Sequence, residues 1–252
     1  MKFKGLGTAL VTPFKNGKVD ENAYRATVAR QIEAGVDFFV PLGSTAETPC
    51  LSDDEKVRLV QITREMASGV PMVAGVGSNS LTGTVRNMRL LDSLDVQAYL
   101  VVVPFYNKPT QEGLYQYFKA VAQETDRDVI LYNVPGRTGT NMKAETTLRL
   151  ANDVPNVVAV KEASGDVAQI VDIKRQAPDG FMVLSGNDDQ TLPLMASGID
   201  GVISVASNVA PKMMKELVDA VFAGDLQKAI CLNDKLMPLY NALFVESNPI
   251  PA

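Results

Sequence analysis

Eight short apolar runs, recurring about every 30 residues, constrain the fold of this chain more than any other feature. They lie at about 7–11, 37–42, 72–76, 98–103, 129–133, 157–161, 182–185 and 201–205. Each is followed by a polar or glycine-containing turn and then by a segment with helical spacing. Leu114, Tyr117, Phe118 and Val121 follow i, i+3, i+4, i+7, as do Met214, Leu217, Val218 and Val221. The stretch from Ser52 to Glu55 reads as a capping box opening a helix that buries Leu59, Ile62 and Met66. Pro211 suits a first helical position. Parallel strands need crossover helices, and eight such units can close into a (β/α)8 TIM barrel. An open doubly wound sheet is the alternative, but no run carries GxGxxG; GVGSNS at 75–80 has two of the three glycines. The predicted organisation is a barrel over residues 1–224 and a partial helical extension over 225–252, with one helix at about 225–244.

Composition narrows the chemistry. The net charge of −5 argues against nucleic acid, because neutralising phosphates needs a basic surface. No apolar run approaches the roughly 20 residues that span a bilayer. Lys2 and Lys4 ahead of GLGTALVTPF faintly resemble a signal peptide, but glycines, Pro13 and the lack of a cleavage pattern favour a first strand. Cys50 and Cys231 form no CxxC, so unpaired thiols in a cytoplasmic protein are expected. Histidine is absent, which removes Ser-His-Asp triads, HExxH zinc sites and any imidazole base. Proton transfers must then use Lys, Tyr, Glu or Asp.

Active sites of such barrels lie at the carboxyl ends of the strands. There the predicted rim collects Ser44 and Thr45, Tyr106, Tyr132 and Arg137, Lys161, Gly186 and Ile203. An amine taken partly out of water is disfavoured in its charged form, and a neutral amine can attack a carbonyl to form a Schiff base. Phenols can shuttle protons, and Arg137 offers a planar fork for a carboxylate. Together these describe a carbonyl substrate bearing a carboxylate, with carbon–carbon bond chemistry through an enamine. Taken singly, each residue also has an ordinary reading. Lys161 could snorkel, the tyrosines could be core aromatics, Arg137 could belong to a turn, and Ser44 and Thr45 could cap the next segment. Asp188 and Asp189 hint at a metal, yet acidic residues in a first helical turn are commonplace.

The blocks GSTAET (43–48), VVPFYNKPTQEGLYQYFKAVA (102–122), ILYNVPGRTGTNM (130–142), VAVKEASG (158–165), LSGNDD (184–189) and GVISVASN (201–208) resemble the dihydrodipicolinate synthases, also called 4-hydroxy-tetrahydrodipicolinate synthases. The resemblance is collinear from about residue 3 to the end. It implies a class I aldolase-like barrel joining pyruvate to aspartate semialdehyde on the route to diaminopimelate and lysine, with a covalent Schiff base and no cofactor or metal. By this resemblance Lys161 forms the Schiff base, Tyr132 is its proton donor and acceptor, and Thr45 links Tyr132 to Tyr106. The tyrosine matching Tyr106 reaches into a neighbouring subunit, implying a homodimer or homotetramer. Backbone groups at Ser44 and Thr45 would hold the pyruvate carboxylate, Gly186 and Ile203 would lie near the adduct, and Arg137 would receive the semialdehyde carboxylate.

The match is not complete. Ser44 stands where threonine is usual, and Ala46 replaces a usual glycine, which would strain the loop if its φ were positive. The C-terminus is shorter than usual, which predicts less cover for the helix near 225–244. Lysine-inhibited relatives use a histidine, a glutamate and a tyrosine at an interface site; Asp53 or Lys56, Gly83 and Phe105 match them here, which predicts weak inhibition. N-acetylneuraminate lyase or a sugar-acid aldolase is the alternative within the superfamily, although the PGRTG arginine speaks for the semialdehyde. A catalytically inactive keto-acid-binding barrel is the alternative of another class.

Overall fold

A computed structural model of the chain describes residues 2–252. The eight apolar runs become strands β1 (Gly5–Ala9), β2 (Phe38–Val40), β3 (Val73–Gly75), β4 (Ala98–Val102), β5 (Asp128–Asn133), β6 (Val157–Glu162), β7 (Met182–Ser185) and β8 (Gly201–Ser204). All pair in parallel, in the order β2-β1-β8-β7-β6-β5-β4-β3. The remaining seam is stitched by Phe39 N–H to the Pro71 carbonyl at 2.9 Å and Gly75 N–H to the Pro41 carbonyl at 3.0 Å. The sheet is therefore a closed (β/α)8 barrel.

Side chains alternate across each strand, so parity decides what faces the axis. Phe38, Val40, Leu100, Ile130, Ala159 and Leu184 fill the interior. Their neighbours Phe39, Val101, Leu131, Val160 and Val183 pack outward beneath the helices. Phe3 plugs the amino-terminal end, edge-on to Phe38 at 6.0 Å. Strand β6 carries one extra residue against β5: Val129 faces Val157, but Ile130 faces Ala159.

The helical expectations hold where the chemistry was explicit, although Met66, expected to be buried, is only half-buried. The helix Asp53–Met66 opens on a complete capping box. There Ser52 N–H donates to Glu55 Oε2 at 2.8 Å, and Glu55 N–H donates to Ser52 Oγ at 3.3 Å. The segment Gln111–Gln123 is helical, and Pro211–Phe222 begins on its proline. One feature was not anticipated. Phe14–Lys15 and Lys18–Val19 form a small hairpin around Asn16 and Gly17, both with positive φ, the Asn-Gly signature of a tight turn.

The last helix, Leu226–Ala242, is capped by Asp225 and buries Ala229, Leu232, Leu236 and Tyr240 in the same layer as the barrel helices. Its outer side leaves Leu226 and Ile230 exposed, followed by exposed Phe244, Val245 and Ile250. From there the chain returns to the barrel mouth at Asn248.

Candidate active site

Strand parity delivers Lys161 and Tyr132 to the interior. They are register partners at the last turns of β6 and β5, beside Asn133 and Glu162. Lys161 is only 4% exposed, and its Nζ lies 4.3 Å from the centre of the Tyr132 ring. An ammonium over an aromatic face is attracted by the ring quadrupole, which holds the amine against the phenol without a carboxylate.

Gly186 makes room for this lysine. A Cβ there would lie 3.1 Å from Lys161 Cε and 2.6 Å from the Ala163 Cβ. Gly186 N–H donates to the Glu162 carbonyl at 2.7 Å, so β7 approaches β6 as closely as backbones allow. Ile203 belongs to the same interior cluster as Tyr132.

A cavity of about 540 Å³ opens beside Tyr132, lined by Ser44, Gly75, Val102, Val134, Arg137 and Thr138 among others. Lys161, Gly186 and Ile203 do not line it. Ser44 and Thr45 sit in a single turn of 3-10 helix, Ser44–Ala46, with Thr45 buried. Ala46 is free of the strain anticipated from the missing glycine. The positive φ values fall on either side of it, at Leu42 and Glu47.

Two placements differ from a simple convergent rim. Tyr106 is 88% exposed with a φ of 71°, and it is not among the residues that line the cavity. The Thr45 hydroxyl meets neither phenol within this chain; it accepts from Asn248 Nδ2 at 3.0 Å. The Asn248 carbonyl in turn accepts from Arg137 Nη2 at 3.1 Å. Sequence reasoning missed Asn248, because an asparagine in a proline-flanked coil signals only a turn.

Asp188 was read as a first-turn acid and lies deeper than that. It is buried, and its Oδ2 accepts from Val205 and Ala206 N–H, each at 2.9 Å, tying β7 to the end of β8. Burial pushes its carboxyl up; hydrogen bonds from Ser204, Ala206 and Val205 and the Lys161 charge oppose this. No group of three or more metal-ligating side chains occurs among the described residues.

Comparison with known proteins agrees with this geometry. A model of the dihydrodipicolinate synthetase family matches residues 2–252. The chain belongs to that family. It is 50% identical over 253 residues to the 4-hydroxy-tetrahydrodipicolinate synthase of Thermotoga neapolitana, covering 99% of this chain and 86% of that one. The crystal structure of dihydrodipicolinate synthase from Thermotoga maritima matches with a TM-score of 0.97 at 48% identity, over 100% of this chain and 86% of that one. A monomeric dihydrodipicolinate synthase variant also gives a TM-score of 0.97 at 48% identity, over 99% and 85% of the two chains.

Proposed function

We propose that this chain condenses pyruvate with L-aspartate 4-semialdehyde to give 4-hydroxy-tetrahydrodipicolinate. The observation that carries the reading is the buried Lys161 amine held against the Tyr132 ring, in a family whose members bear that enzyme's name. In its neutral form Lys161 Nζ attacks the C2 carbonyl of pyruvate, and the oxygen leaves as water. Loss of a C3 proton from the resulting iminium gives an enamine. Its C3 attacks the semialdehyde carbonyl, forming the new carbon–carbon bond as the aldehyde oxygen takes a proton. The amino group of the second substrate then displaces Lys161 from C2, closing the ring and releasing the amine.

In this reading Tyr132 gives and takes the protons, as a phenol can where the chain has no histidine. Backbone groups at Ser44 and Thr45 hold the pyruvate carboxylate, Gly186 and Ile203 bound the adduct, and Arg137 grips the second carboxylate. The chemistry requires no cofactor or metal. Tyr106, exposed in this chain, serves the site of a neighbouring copy, with Thr45 completing the link to Tyr132; a homodimer or homotetramer is the working form. The catalytic unit is residues 1–224, and 225–252 form a helical extension that closes back on it through Asn248.

Borohydride reduction in the presence of pyruvate tests the reading. The wild type should carry a stable adduct on Lys161 by peptide mass. Lys161→Ala should lose both adduct and turnover, and Lys161→Arg should fail too, because a guanidinium stays protonated. An adduct on another residue would overturn the assignment.

A further inference from the structure

Directly behind the Lys161–Tyr132 pair lies a buried polar cluster that the chemistry above does not use. Glu162 is fully buried on the outward face of β6. Its carboxylate accepts from Asn133 Nδ2 at 3.1 Å on each oxygen, from Ser164 N–H at 2.8 Å and from Gln169 Nε2 at 3.1 Å. All of these partners are neutral donors. Asn133, equally buried, also donates to Asn141 Oδ1 at 2.7 Å and accepts from Met142 N–H at 2.9 Å. Burial raises the Glu162 carboxyl, while the donors favour its ionised form.

The register of β5 and β6 explains why so costly a group would sit there. Val158 is the extra residue of β6, so pairing before it and pairing after it differ by one position. Side chains alternate with a period of two, and a slip by one residue exchanges the faces. Such a slip would carry Glu162 into the barrel mouth and send Lys161 behind the sheet, among Leu131, Val183 and the helices. The apolar neighbours oppose it only weakly, because Val158, Ala159 and Val160 are acceptable on either face. The paired asparagine and glutamate oppose it strongly: the slipped state leaves a buried carboxylate and several N–H donors unmatched.

We propose that Asn133 and Glu162 are positioning residues, a buried amide–carboxylate clamp that locks β6 on β5 beyond the bulge and keeps Lys161 Nζ against Tyr132. The clamp spans the in-register pair next to the catalytic one and reaches Gln169 on the following helix, Val167–Gln176, so it fixes direction as well as register. The proposal rests on the reading that Lys161 carries the Schiff base.

A reciprocal exchange tests it. Glu162→Gln sets an amide N–H against the Asn133 amide, and Asn133→Asp sets two carboxylates together. The double variant restores one donor and one acceptor with the polarity reversed. Each single variant should lower kcat about tenfold or more and slow borohydride trapping of pyruvate, with KM for pyruvate moving less than about threefold. The double variant should recover to within about threefold of the wild-type kcat, a coupling expected of residues in one network. Singles that lose melting temperature yet keep kcat and trapping rate at 25 °C would overturn the clamp, as would a double variant no better than the worse single. Should neither single fold, Gln169→Met removes one donor from the carboxylate at the edge of the cluster. A kcat lowered about threefold or more supports the clamp, and an unchanged kcat overturns it. A wild type that forms no adduct on Lys161 would instead remove the Schiff-base reading, and the clamp's catalytic role with it.

Discussion

The backbone carbonyl of Asn248 accepts a hydrogen bond from Arg137 Nη2 at 3.1 Å, joining the end of the chain to the turn after β5. The contact holds the guanidinium at the cavity while engaging one of its nitrogens, leaving the others for a ligand. Arg137→Ala should therefore raise KM for aspartate semialdehyde and leave pyruvate trapping largely intact. A charge-assisted bidentate contact is worth roughly 1.5–3 kcal/mol, about ten- to a hundredfold in KM. Steady-state kinetics with each substrate varied reads this; equal losses for both would mean structural damage.

Gly186→Ala should strike the opposite half of the reaction. The new methyl would press on Lys161 Cε and the Ala163 Cβ, both on β6 or its end. Overpacking of this kind costs about 1–3 kcal/mol, and here it displaces the nucleophile itself. Pyruvate trapping should slow while KM for the semialdehyde stays near its original value. A variant that traps pyruvate at the wild-type rate would show that the strand yields instead.

Inhibition by lysine should be weak or absent. Lys56 lines the cavity wall with Phe105, and its Nζ pairs with Asp53 Oδ1 at 3.3 Å, while Asp53 also binds Arg86. Gly83 supplies no carboxylate for a ligand ammonium, and Lys56 would repel one. Half-inhibition at micromolar lysine in a steady-state assay would contradict this.

Asp188 predicts a pH dependence of stability. Its folded carboxyl is raised above its unfolded value by burial, so the folded state holds this proton more tightly. That contribution is fully present below the ordinary carboxylate range and is lost as pH rises through the folded value. Glu162, raised for the same reason, adds in the same direction. Half-buried Glu55 and exposed Glu112, lowered chiefly by hydrogen bonds, act oppositely and lose stability on acidification. Melting temperature followed across the weakly acidic range should show a smaller fall with rising pH in Asp188→Asn than in the wild type. Parallel curves would mean that Asp188 titrates alike folded and unfolded.

The barrel was legible because strands covered on both faces read as unbroken apolar runs, and a polar residue ending such a run stands out. Lys161 and Tyr132 were found in that way. Glu162 was hidden by its neighbour: a Lys-Glu pair at a strand end looks like two solvated charges, and only the closing helix shows that one is enclosed. Asn248 was hidden by distance, since its partners Thr45 and Arg137 lie more than a hundred residues away. The hairpin at Asn16-Gly17 was readable and was overlooked, its strands being too short to show alternation.

Strand β1 pairs with β8, Gly5 opposite Gly201, and this has a consequence for the chain as it is made. A ribosome delivers the first strand long before its second neighbour. At about 5–20 residues per second, β8 follows some 10–40 s later. Through that interval the growing sheet has an open edge that nothing in the nascent chain can cover, the condition in which unpaired strands find the wrong partners. The loop carrying Thr45 waits longer still, until Asn248 emerges. Catalytic competence in this design thus waits on the segment that carries Asn248, and the hazard of its synthesis is concentrated in the time before the ring is shut.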